Sequence, residues 1–251
     1  LKNVIDDNYI SRFLNLKYII SNTTAVDHIK INRQVEVIHL DSVEIEGVSA
    51  TAEFTLALML SLVRKIPFIN PEKIDDRVAL RGTQLKGLQL GIVGLGRIGK
   101  KMARYAEALE MKWMAVDKES SSLEKKELFR KSDLITLHMP LNENTIGYIG
   151  AEEFSHMKKH PYLVNSSRPQ IINKEALIEA LDQGLIKGLA MDFLNYNADY
   201  QNDSDLQKYL NDRVLLTPHI AGNTYESIYY TANIVIKKLL KKISENGALN
   251  E

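Results

Sequence analysis

The chain has 251 residues, enough to bury a large core, and its 32 Lys and Arg balance 32 Asp and Glu, which excludes a global field drawing it to nucleic acid or an acidic membrane. It has no cysteine, so disulfides, thiolate nucleophiles and cysteine-ligated metal centres are excluded, and a reducing, cytoplasmic setting is the default expectation. The longest nearly apolar run, FTLALMLSLV (54–63), is well short of the ~20 residues of a membrane helix, so no membrane partner is expected.

In chain order, the N-terminal LKNVIDDNYI has no basic-then-apolar leader pattern and, lacking an initiator Met, is expected to begin part-way into a domain. LKYIIS (16–21) and VEVIHL (35–40) read as strands, and SATAEFTLALMLSLVRKI (49–66) as a long helix stopped by Pro67. Further strands are expected at 88–94, 112–117, 133–138, 162–167, 187–192 and 213–219. Helical patterns separate most of them, including NKEALIEALDQG with Asn173 as N-cap and Gly184 as the stop. Repeated strand–helix alternation implies a parallel sheet covered on both faces. NYNADYQNDSD (195–205) reads as a polar excursion and ENGALNE as a frayed tail.

Ligands of such sheets gather outside the carboxyl ends of the strands. There the sequence places Gly94, Asp117, His138, Ser166 with Arg168, Asp192 and His219. GLGRIG supplies Gly94, Gly96 and Gly99 as G-x-G-x-x-G directly after an apolar strand, with Arg97 and Ile98 opening the next helix. Gly94 permits a tight turn, Gly96 lets backbone N–H groups approach a pyrophosphate, and Gly99 brings helix and strand together, with the helix N-terminus facing the phosphates. Asp117 ends the next strand, where its carboxylate would accept hydrogen bonds from a ribose and repel a 2′-phosphate; this favours NAD over NADP, with Lys118 beside it the opposing feature.

LKGLQLGIVGLGRIGKKMA, DLITLHMPLNENTIGYI, YLVNSSRPQIINKEALIEAL, GLAMDF and LLTPHIAGNTYES, in this order and spacing, resemble the D-isomer-specific 2-hydroxyacid dehydrogenases. The resemblance covers nearly the whole chain. It implies a doubly wound Rossmann domain over 66–224 and a smaller flavodoxin-like substrate lobe over 1–65 and 225–251, incomplete at its N-terminus. It further implies a homodimer and a 2-keto or 2-hydroxy acid as the small-molecule partner. By resemblance, Arg168 binds the substrate carboxylate and polarises the keto group, and His219 is the acid/base. Asp192 contacts the nicotinamide end; His138, Met139, Pro140, Thr145, Ser166 and Gly222 join the glycine turn in holding the cofactor. Thr24 and Ala25 sit in the loop whose amides hold the carboxylate in relatives, where glycines are usual.

Hydride addition to a 2-keto acid develops negative charge on oxygen, so a cation and a proton donor are required, and Arg168 and His219 meet those needs. Two departures stand out. Pro169 replaces the glycine that usually follows the arginine and biases Arg168 toward extended backbone. Asn197 occupies the position where relatives carry the glutamate that pairs with the histidine; an amide can orient an imidazole but cannot supply the charge that favours imidazolium. Formate dehydrogenases in the same family use a neutral glutamine there, so hydride transfer is compatible with Asn197. Asp199 is an alternative carboxylate, and an NAD-binding sensor or regulatory protein with little turnover is the alternative function. His28, His39, His156 and His160 read as turn, strand and surface residues, and no metal is required.

Overall fold

The structure, a computed structural model, describes residues 4–69, 76–192, 204–210 and 212–245. The chain divides into two compact units, one of residues 1–50 with 222–251 and a larger one of 51–221.

The larger unit is built on β5 (Gln89–Val93), β6 (Lys112–Val116), β7 (Leu134–Leu137), β8 (Tyr162–Asn165), β9 (Gly188–Asp192) and β10 (Val214–Thr217). They form one sheet in the order β10-β9-β8-β7-β5-β6, every pair parallel. Period-two alternation splits the side chains between two cores. Val93, Ile135, Leu137, Leu163 and Met191 face α4 (Ser122–Lys131), α5 (Ala151–His156) and α6 (Lys174–Asp182) through Leu128, Phe129, Phe154, Leu177 and Leu181. Leu90, Ile92, Leu134, Val164 and Ala190 face α2 (Ala50–Val63) and α3 (Arg97–Ala108) through Leu58, Met59, Leu62, Val63, Met102 and Ala106. Each of the larger of these buried side chains contributes about 1.5–3 kcal/mol of transfer free energy. With helices against both faces, this is the expected doubly wound Rossmann-type sheet.

Helix ends follow their local chemistry. Asn173 caps α6 by accepting from Ala176 N at 2.8 Å, and Gly184 beyond it adopts φ 66°. Ser121 and Glu124 form a reciprocal capping box at the start of α4. α2 ends at Val63, three residues short of the expected stop, because Lys65 turns to φ 58° and Pro67 then sits in a single 3-10 turn over Ile66–Phe68.

In the smaller unit, β1 (Ile5–Asp6) pairs in parallel with β3 (Ile29–Lys30), and β2 (Tyr18–Ile20) with β4 (Glu36–Ile38). α8 (Tyr225–Glu245) packs on β2 and β4. Val235 meets Leu40 and Ile45 there, and Lys238 Nζ reaches Glu44 Oε2 at 2.7 Å and the His39 carbonyl at 2.8 Å. The Lys238 ammonium holds the Glu44 carboxyl below its usual range.

Candidate active site

The strand order reverses direction between β5 and β7: the chain leaves β5 toward β6 on one side and returns across it to β7 on the other. Such a switch point opens a crevice at the carboxyl edge, and the glycine turn lies there. Gly94 has φ 99°, and a Cβ on it would stand 2.6 Å from the His138 carbonyl oxygen, so the loops after β5 and β7 touch with no room for a side chain. A Cβ on Gly99 would collide with the Gly94 carbonyl, which makes Gly99 the closest approach of α3 to the strand end. Gly96, by contrast, has nothing within 4 Å of a Cβ position and lies in extended backbone as the N-cap of α3. No side chain caps α3 and no acidic residue occupies its first turn, which Arg97 opens and Ile98 continues. The open approach at Gly96, the uncapped N–H groups and the absent acidic charge fit a dinucleotide pyrophosphate.

Asp117 follows β6 and is exposed; its Oδ1 accepts Glu119 N at 3.0 Å, which holds the carboxylate at the strand end. After β7 the chain turns through Met139 and Pro140, and Thr145 Oγ1 donates to the Pro140 carbonyl at 2.7 Å, tying that loop into a fixed turn. His138 is the surprise here. Its imidazole is buried, and among the described residues neither ring nitrogen has a hydrogen-bond partner. Burial alone drops its pKa to about 3, so it is neutral throughout the physiological range.

Arg168 is set by the turn leaving β8. Buried Asn165 donates through Nδ2 to the Arg168 carbonyl at 2.8 Å and accepts from Ser167 N at 2.9 Å, while Ser167 Oγ donates to the Leu137 carbonyl at 2.9 Å. Arg168 has φ −140° and ψ 139°, the extended conformation expected before Pro169. Its Nη1 donates to the Ser167 carbonyl at 3.0 Å. Ser166 turns the other way, with its hydroxyl 2.6 Å from Thr55 Oγ1 on α2.

His219 lies in the turn after β10 with φ 55°, a left-handed conformation that costs a non-glycine residue about 1–2 kcal/mol. Asp192, 1% exposed at the end of β9, holds that turn. Its Oδ1 accepts Thr217 Oγ1 at 2.6 Å and Ile220 N at 3.0 Å, and its Oδ2 accepts Ala221 N at 2.6 Å. Three of roughly four acceptor positions on the carboxylate are thus taken by the segment that carries the histidine. Arg168, Asp192 and His219 all stand at the carboxyl edge of the same parallel sheet as the glycine turn.

Thr24 and Ala25 belong to the smaller unit, in a loop after β2 where Thr23 Oγ1 bonds the Ser21 hydroxyl at 2.8 Å and the Ala25 carbonyl at 2.7 Å. Gly222 is the first residue of that unit's second segment. Asn197 and Asp199 lie outside the described residues. Sequence reasoning did not identify Asn165 or Thr55. The only signal for either was a polar residue at a strand end and a lone hydroxyl in the apolar run FTLALML. Among the described residues no group of His, Asp or Glu could hold a metal ion, and no helix is long and apolar enough to cross a membrane.

The family model for the D-isomer specific 2-hydroxyacid dehydrogenase NAD binding domain matches residues 56–221. The chain is 31% identical over 247 residues to an aromatic 2-oxoacid reductase of Clostridium sporogenes, spanning 89% of this chain and 75% of the relative. It is 32% identical over 264 residues to a glyoxylate reductase of Thermofilum pendens, spanning 96% and 76%. Among solved structures, a D-lactate dehydrogenase from Aquifex aeolicus, complexed with NAD and lactic acid, aligns with a TM-score of 0.78 at 27% identity, covering 98% of this chain and 81% of that one.

Proposed function

The chain belongs to the D-isomer specific 2-hydroxyacid dehydrogenases, and from that premise we propose that it reduces a small 2-oxo acid to the D-2-hydroxy acid, with Arg168 and His219 as its catalytic residues. NAD is the cofactor of the family, and bound NADH supplies the hydride. The guanidinium of Arg168 grips the substrate carboxylate through paired hydrogen bonds and polarises the keto oxygen. A ring N–H of protonated His219 gives its proton to that oxygen as negative charge develops there, and in the reverse direction neutral His219 takes it back. Asp192 keeps the histidine's turn in place and has one acceptor position left for the nicotinamide end. Gly94, Gly96, Arg97, Ile98 and Gly99 receive the pyrophosphate, Asp117 the ribose, and Met139, Pro140 and Thr145 the flank of the crevice. Ser166 contributes through its backbone, since its hydroxyl is turned to Thr55. Thr24 and Ala25 remain assigned to the substrate carboxylate through the resemblance.

The observation that carries this reading is the buried Asp192 carboxylate holding an otherwise strained histidine at the sheet edge where the glycine turn opens. A panel of 2-oxo acids from glyoxylate to aromatic ones, the range spanned by the names of the relatives, tests it by NADH consumption. The amide at Asn197 favours one competing reading, an NAD-binding sensor. NADH binding without turnover on any panel member would select it.

A further inference from the structure

We infer that Thr55, on a helix outside all the dinucleotide and catalytic motifs, is a positioning residue for Arg168, acting through Ser166. Thr55 is fully buried in the first half of α2. Its Oγ1 lies 2.7 Å from the Thr51 carbonyl, a backbone acceptor one turn earlier, so the hydroxyl hydrogen points there. Ser166 Oγ stands 2.6 Å from the same Oγ1 and must therefore be the donor in that pair. The result is a directed chain from Ser166 through Thr55 to the Thr51 carbonyl, joining residues 111 positions apart.

Ser166 begins the turn that leaves β8 and precedes Arg168 by two residues. The next residue is tied to the opposite side, Ser167 Oγ to the Leu137 carbonyl at 2.9 Å, and Asn165 closes the turn onto the Arg168 carbonyl at 2.8 Å. Consecutive residues are thus anchored to α2 and to β7, and the extended backbone before Pro169 has no slack between them. Removing the α2 anchor leaves the part-buried Ser166 hydroxyl without its acceptor. The tie between the turn and α2 is then lost, and the turn shifts, carrying Arg168 with it.

The inference rests on the proposed role of Arg168, so its test has one readout that depends on that role and one that does not. Thr55→Val keeps volume and removes the acceptor; Thr55→Ser keeps the hydroxyl. Backbone amide exchange at Ser166, Ser167 and Arg168 should rise at least tenfold in Thr55→Val and return to wild-type rates in Thr55→Ser. In turnover, Thr55→Val should raise KM for the 2-oxo acid about tenfold, lower kcat by less, and raise KM for NADH by a smaller factor through the Ser166 backbone; Thr55→Ser should restore all three. Unchanged exchange in a folded Thr55→Val overturns the inference, as does unchanged KM for the 2-oxo acid or a Thr55→Ser protein that behaves like Thr55→Val. Ser166→Ala, which removes the donor without orphaning a partner, should reproduce the exchange result if Thr55→Val does not fold. A wild-type protein that binds NADH but turns over nothing refutes the proposed reaction, and the exchange measurement still decides the link.

Discussion

Replacing Asp192 by Asn alters one oxygen of the carboxylate that restrains His219 and leaves the side chain's shape intact. In the native site the carboxylate accepts from Thr217 Oγ1, Ile220 N and Ala221 N. An amide can keep Oδ1 as acceptor for the first two, but its NH2 then faces Ala221 N, a buried donor at 2.6 Å. A hydrogen bond to a charged group contributes about 1.5–3 kcal/mol net, and the opposed donor adds about 1–3 kcal/mol of unsatisfied burial. A loss of about 3 kcal/mol, toward the lower end of the combined range, is the working expectation. It exceeds the about 1–2 kcal/mol by which His219 resists its left-handed backbone, so the turn relaxes and the imidazole leaves its position. For a unit of this size 3 kcal/mol lowers Tm by about 6–12 °C. As a barrier effect it lowers kcat/KM by about a hundredfold. Thermal unfolding, steady-state kinetics and amide exchange at Ile220 and Ala221 report the three consequences separately. An Asp192→Asn protein with Tm within about 1 °C of wild type, unaltered exchange and kcat/KM within twofold would refute the reasoning that this carboxylate holds the histidine.

His138, with a pKa near 3 in the fold against an ordinary value near 6.5, contributes stability that is fully present above about pH 6.5 and is lost as pH falls toward 3, at about 1.4 kcal/mol per pH unit. Denaturant titrations should therefore show a shallower acid limb, by about one proton, in His138→Gln than in wild type. Gly94→Ala should weaken NADH binding at least tenfold and destabilise the fold by about 2–3 kcal/mol, because the new methyl meets the His138 carbonyl at a backbone with φ 99°; fluorescence titration and unfolding curves report both. Asn197→Glu should raise the pKa of His219 and move the alkaline fall-off of 2-oxo acid reduction upward by about one pH unit; an unchanged pH–rate profile would remove residue 197 from the histidine's surroundings.

The sheet was legible because its inner strands are buried on both faces and read as short continuous apolar runs between polar breaks. ITL in β7 and LVN in β8 are fully buried, and the polar residues expected at the strand ends, Asp117, His138 and Ser166, fall just beyond the last paired residue. Pro169 also fixed a local conformation in advance, since its ring restricts the residue before it and Arg168 is extended. What sequence did not contain was the hydrogen-bond partnership. Asp192 accepts from Ile220 and Ala221 beside a His219 whose backbone turns left-handed, and histidine's mild enrichment at such positions is too weak a signal to place one there from sequence. The Thr55–Ser166 pair depends on how α2 lies across β8, a tertiary result with no periodicity of its own. β1 and β3 have two residues each, too few for an alternation pattern to register.

The most direct test of the central claim is NADH oxidation by the protein across the 2-oxo acid panel between mildly acidic and neutral pH, with NADH binding measured on the same sample and on His219→Ala. The prediction is turnover on at least one acid, falling by about a hundredfold to ten-thousandfold in His219→Ala while NADH affinity stays within about threefold. Equal turnover in His219→Ala would contradict the assignment of the proton donor, and failure to bind NADH would contradict the reading of the glycine turn from which the rest follows.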